Sequence, residues 1–80
     1  MCHYVYILQS ESCPKRHYTG CTTDLCSRLK KHNAGEVPHT AKYRPWRIEV
    51  AVRFSSKEKA RIFEHYMKTG SGREFARRHF

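Results

Sequence analysis

The sequence predicts a small α/β domain, a three-stranded antiparallel or mixed sheet flanked by helices, and three observations predict it. Short runs with two-residue alternation read as strands, runs at helical period follow polar capping residues, and their order is strand, strand, helix, strand, helix. The 80 residues make one domain, 1–80, and a domain near this size hides only roughly 60% of the surface its unfolded chain exposes.

His3 to Leu8 is a β-rich run with Tyr4, Tyr6 and Leu8 on one face and His3, Val5 and Ile7 on the other. The polar stretch 9–16 contains Pro14 and predicts a hairpin loop returning to a second strand at His17 to Cys21. Thr22, Thr23 and Asp24 offer side-chain oxygens for an N-cap, and a helix follows to about Asn33, with Gly35 ending it. Val37 to Pro45 is irregular, with room for a turn of helix at Thr40 to Tyr43. Trp46, Ile48, Val50, Val52 and Phe54 alternate with Arg47, Glu49, Ala51 and Arg53, a strand with one core face and one wetter face. Ser55 and Glu58 read as a capping box for a helix from about Lys57 to Met67 or Lys68. Gly70-Ser71-Gly72 then reads as an interruption before a last helical segment, Arg73 to Arg78.

Composition narrows the function. Sixteen Lys and Arg against seven Asp and Glu leave a formal net charge of +9, while 39% of the chain is apolar. That is too apolar and too aromatic for a disordered basic tail. An excess of one sign draws polyanions, nucleic acid first and an anionic membrane surface second. No run approaches the roughly 18 apolar residues of a membrane span. The start, Met1 to Leu8, lacks a basic leader, so the expectation is a cytoplasmic protein without a membrane partner. The cysteines at 2, 13, 21 and 26 form no Cys-x-x-Cys pair, which favours free thiols over structural zinc.

Two charged side chains fall where apolar ones are expected. At 100° per residue Leu25, Arg28, Leu29 and His32 share one stripe of the first helix. Arg28 there either lines a cleft or packs its stem with the guanidinium reaching water. Ala60, Phe63, Glu64 and Met67 share a stripe of the later helix. Glu64 either pairs with a buried Arg such as Arg28 or holds a cation of the magnesium type, which keeps several waters and needs few protein ligands. Tyr6 and Tyr18 lie on strands that a hairpin brings together; by themselves they read as packing.

Tyr4-Val5-Tyr6, eleven residues, then Tyr18-Thr19-Gly20 resembles the paired signature tripeptides of the GIY-YIG nuclease superfamily. Thr22 to Leu25, Arg28-Leu29 and His32 to Gly35 are similar to the segment that follows in small stand-alone bacterial members, and Phe63 to Tyr66 with Lys68 to Arg73 resembles their closing segment. The N-terminal nuclease domain of the excision-repair endonuclease is similar too. Tyr4 replaces the signature's first glycine, and Cys21 stands where some members carry a lysine.

The resemblance implies a metal-dependent endonuclease that hydrolyses nucleic-acid phosphodiester bonds, DNA foremost, with structure-selective or weak sequence selectivity. It implies Glu64 as the ligand of Mg2+ or Mn2+, Arg28 as the phosphate-binding group, and Tyr6 and Tyr18 lining the nucleophile side. His32 is similar to a position where members place a His or Tyr, and it rivals Tyr6 as base. The alternative is a nucleic-acid-binding module of the same fold without turnover. Lys30, Lys31, Arg73, Arg77 and Arg78 are the candidates for phosphate-backbone contacts.

Overall fold

A computed structural model describes residues 3–80. The elements run β1 (His3–Ser10), β2 (His17–Thr22), α1 (Leu25–Asn33), α2 (Pro38–Ala41), β3 (Trp46–Phe54), α3 (Lys57–Met67) and α4 (Gly70–His79). The three strands form one sheet in the order β2-β1-β3, with both pairings antiparallel. β1 is central and Val5, Tyr6, Ile7 and Leu8 are all buried, as a strand covered on both faces must be.

One face packs Tyr6, Leu8 and Trp46 with Tyr18, Leu25, Leu29, Tyr43 and Ile48, so α1 and the segment around α2 cover it. α3 crosses the other face, with Ala60 and Met67 buried and Phe63 against Phe54 at 5.4 Å between ring centroids.

β3 departs from the single core face its alternation suggests. Leu8 pairs with Ile48 but Ile7 pairs with Val50, so the register jumps over Glu49. A bulge of this kind reverses which face the following residues meet. Trp46 and Ile48 therefore join the α1 core, whereas Val50, Val52 and Phe54 turn to α3.

Asp24 caps α1 by accepting from Ser27 N at 3.1 Å, and Gly35 in the left-handed region (φ 80°) stops it. The cap of α3 is Ser56, whose Oγ accepts from Lys59 N at 3.3 Å, and not the expected Ser55 with Glu58. The glycines at 70 and 72 open α4 rather than interrupt a helix. Thr69 Oγ1 accepts from Gly72 N at 3.1 Å, which caps the new helix. A Cβ on Gly72 would lie 2.5 Å from Met67 Cα and closer still to the Tyr66 carbonyl oxygen, so glycine there lets α4 fold tightly onto α3.

Among the described residues no helix is long and apolar enough to cross a membrane. Cys13, Cys21 and Cys26 carry free thiols; Cys2 lies outside the described residues.

Candidate active site

In the β1–β2 register Tyr6 faces Gly20 and Leu8 faces Tyr18. Directly opposed residues project to one face of a sheet, so both tyrosines look toward α1. Tyr6 is 1% exposed and Tyr18 half-buried, with ring centroids 6.5 Å apart. Gly20 makes room for them. A Cβ there would stand 2.6 Å from Tyr6 Cζ, nearer still to the Tyr6 hydroxyl, and 3.1 Å from Tyr18 Cε2.

α1 brings in Arg28 and His32, four residues apart and hence on one stripe. Arg28 Nε donates to the Tyr6 hydroxyl oxygen at 3.3 Å. The same hydroxyl lies 3.0 Å from His32 Nε2, and His32 Nδ1 lies 2.7 Å from Thr40 Oγ1. His32 is wholly buried and packs against Tyr18 with centroids 5.0 Å apart.

The environment sets the protonation of this chain. Burial raises the pKa of the Tyr6 phenol, against the pull of Arg28, so the hydroxyl keeps its proton at neutral pH. Burial, and then the charge of Arg28, lowers the pKa of His32, which leaves a neutral ring able to accept a proton. The hydrogen bond to Tyr6 raises the pKa of Arg28, with smaller contributions from Tyr18, and the guanidinium stays charged.

Glu64 has a different setting. Its carboxylate pairs with Lys68 Nζ, one turn on, at 3.2 Å. The pairing with Arg28 weighed from the sequence does not form; Arg28 is engaged by Tyr6. Glu64 keeps 25% of its side chain exposed, and its negative charge reaches Tyr6 and Cys21, raising the pKa of both after burial has done so first.

Among the described residues no three of His, Cys, Asp and Glu gather into a cage for a metal ion. A single, partly exposed carboxylate does fit a hard cation that retains waters and completes its shell from a phosphate.

The predicted backbone contacts separate into two places. Lys30 and Lys31 are exposed on the last turns of α1. Arg77 grips Glu74 with two nitrogens, at 3.0 and 2.5 Å, and Arg78 joins it at 3.3 Å; Arg73 has no carboxylate partner among the described residues. Arg73 and Arg77 line a groove between β2 and α4 together with Lys15, Arg16, Tyr18 and Lys68.

Sequence reasoning missed Lys15, Arg16 and Lys68 as part of this groove, although their charge was visible. It also missed Thr40, eight residues beyond His32 with no periodic relation to it, and Asn33. Asn33 accepts from Trp46 N at 2.6 Å and donates to Trp46 O at 3.1 Å, tying the end of α1 to the start of β3.

Comparison with known proteins shows the family and the fold. Residues 2–78 match the GIY-YIG catalytic domain. The UPF0213 protein BH0048 of Halalkalibacterium halodurans is 40% identical over 75 residues, covering 92% of this chain and 78% of that protein. The structure-specific endonuclease subunit SLX1 of Scheffersomyces stipitis is 46% identical over 68 residues, covering 76% of this chain but 20% of that longer protein. The solution NMR structure of the UPF0213 protein BH0048 superposes with a TM-score of 0.58 at 38% identity, over 96% of this chain and 81% of that one. With the family model matched over nearly its whole length, the chain belongs to the GIY-YIG family of nuclease domains.

Proposed function

We propose that the chain is a metal-dependent endonuclease that hydrolyses phosphodiester bonds in DNA, selecting structure over sequence. The observation that carries the reading is the buried Tyr6–His32 pair with Arg28 on the Tyr6 oxygen. A phenol alone is a poor base at neutral pH, since its ordinary pKa is about 10. A neutral imidazole 3.0 Å from the hydroxyl gives its proton a destination: once bound substrate brings the attacking water to this otherwise buried oxygen, Tyr6 takes a proton from it as its own passes to His32 Nε2.

Arg28 serves both partners of that exchange. Its Nε holds the tyrosine oxygen, and its remaining N–H groups can serve a phosphate, where charge builds on the non-bridging oxygens. Tyr18 and Arg28 are half-buried, so they are the members of the set that reach solvent. A divalent cation such as Mg2+ or Mn2+, when bound, supplies charge at the phosphate and the leaving oxygen, and Glu64 is the residue to hold it. The groove of Lys15, Arg16, Lys68, Arg73 and Arg77 between β2 and α4 offers positive charge to a nucleic-acid strand, and Lys30 and Lys31 offer a second contact. The SLX1 relatives, structure-specific endonuclease subunits, support branched or flapped DNA as the first substrates to try.

The test is a cleavage panel of nicked, flapped and branched DNA with Mg2+ or Mn2+. Cleavage is expected for the wild type and lost by at least roughly 100-fold in Glu64→Gln, as for removal of a group acting only on the transition state, with DNA binding retained. Cleavage unchanged in Glu64→Gln removes the assignment. Salt-sensitive binding without cleavage in any divalent ion would instead make the chain a non-catalytic nucleic-acid-binding member of the family.

A further inference from the structure

We infer that Thr40 is a positioning residue: its hydroxyl accepts the Nδ1 proton of His32 and, together with Tyr6 and Arg28 on the other side of the ring, holds the tautomer in which Nε2 faces Tyr6 as a bare acceptor. The cleavage part of the test rests on the nuclease reading above; the tautomer itself does not.

The inference follows from counting donors and acceptors. Thr40 Oγ1 stands between two groups, His32 Nδ1 at 2.7 Å and the Val37 carbonyl at 3.2 Å. A carbonyl only accepts, so a Thr40 O–H directed at the Val37 oxygen, which it shares with the backbone N–H groups of Thr40 and Ala41, leaves the Thr40 oxygen to accept from His32 Nδ1–H. His32 Nε2 then carries a lone pair, the Tyr6 O–H donates to it, and the Tyr6 oxygen accepts from Arg28 Nε. Every donor in the row has an acceptor.

The opposite tautomer does not close. With the proton on Nε2, both His32 and Arg28 would donate to the Tyr6 oxygen. The Tyr6 O–H would then have no acceptor among the described residues, since that hydroxyl has no hydrogen-bond partners there besides His32 and Arg28. Leaving a buried donor unpaired costs about 1–3 kcal/mol, and Tyr6 is 1% exposed. The scaffold holds Thr40 in place independently of its hydroxyl. Its backbone carbonyl accepts from Trp46 Nε1 at 2.7 Å, and its backbone N–H donates to Val37 O at 3.1 Å. Thr40 is 1% exposed, so water is a poor substitute for the hydroxyl.

The choice of tautomer has a chemical consequence. Only the form protonated at Nδ1 can receive the Tyr6 proton at Nε2. In the other form the imidazole would push a proton at the oxygen that has to gain one from water.

Nitrogen-15 NMR of the His32 side chain in the free protein, above pH 7, tests the assignment. The wild type is expected to show the Nδ1–H form. Thr40→Val, which keeps the shape and both backbone bonds, leaves Nδ1–H without its acceptor and is expected to bring in a detectable Nε2–H share, which Thr40→Ser should remove. Cleavage should fall by about 10–100-fold in kcat for Thr40→Val, the range found when a hydrogen-bonded partner behind a functional histidine is removed, with KM unchanged and recovery in Thr40→Ser. An Nε2–H form in the wild type overturns the inference even if no variant folds. So does a Thr40→Val protein that shows the Nδ1–H form alone, or one whose tautomer shifts while kcat does not. A wild type that shows Nδ1–H but cuts no DNA upholds the tautomer and counts against the nuclease reading alone.

Discussion

Arg28 and Glu64 both occupy core-facing stripes, and the protein treats the two charges differently. Arg28 meets a partner that cannot move away: the Tyr6 hydroxyl, backed by His32 and Thr40, on a strand buried from both sides. Glu64 meets Lys68, an exposed side chain one turn along its own helix. Such an i,i+4 pair is worth only about 0.2–0.5 kcal/mol, little to oppose the divalent cation proposed for this carboxylate. One half of the site is thus built in advance by burial and hydrogen bonding, and the other is left open to a ligand. The difference teaches that a charge on a core-facing stripe is satisfied in two opposite ways, by a partner fixed inside the fold or by a weak one at the surface.

The strongest way to break this comparison is Arg28→Ala. It removes the only charged member of the buried row, and cleavage should drop roughly 100- to 1000-fold, about 3–4 kcal/mol of transition-state stabilisation. Thermal unfolding should change far less, because the guanidinium is only partly buried. A fall in cleavage matched by an equal loss of stability would show that Arg28 supports the fold and not the reaction.

Next in size is Gly72→Ala, on the α3–α4 side. The added Cβ meets backbone, the Tyr66 carbonyl and Met67 Cα, which cannot swing aside as a side chain would. A loss of about 1–3 kcal/mol is expected from such overpacking, read by urea unfolding, with residual activity falling only as the folded fraction falls. Asn33→Ala acts on the opposite side. It leaves the Trp46 backbone N–H and carbonyl without their partner and should cost about 1–3 kcal/mol; it should also loosen the α2 segment that carries Thr40, so kcat should drop beyond what stability explains.

The smallest effect sharpens the comparison through pH. Burial first, and Arg28 second, hold the His32 pKa below the ordinary histidine value, which is about 6.5. Below that value the unfolded chain binds a proton that the folded chain refuses, so His32 adds nothing to destabilise the protein above the window and costs stability as pH falls through it. Between pH 7.5 and 5.5 the wild type should therefore lose more unfolding free energy than His32→Gln. Equal losses would mean that the ring titrates as if exposed.

Much of this was legible in the residues. β3 was readable from end to end because alternation over nine residues is a strong local signal. α1 and α3 were readable because an apolar stripe and a capping oxygen bracket each of them. Arg28, His32 and Glu64 stood out by the same periodicity, as polar groups on apolar stripes. The errors arose where two local solutions compete. Ser55 and Ser56 both offer a capping oxygen, and the chain uses the second. Glycines at 70 and 72 look like breakers because the role of Gly72, a close approach to α3, is made by residues across the turn.

By itself the sequence determined the family, the order of the elements, the excess of positive charge and the identity of the charged residues that face the sheet. These rest on composition, local periodicity and short motifs, which any stretch of chain carries with it. Tertiary structure decided how those residues are joined. It turned β3 from one core face to the other at Glu49, gave Arg28 to Tyr6 and Glu64 to Lys68, and set Thr40 behind His32. Such pairings depend on register and on which helix covers which face, and hydrogen bonds in a buried row form only when every partner is already in place.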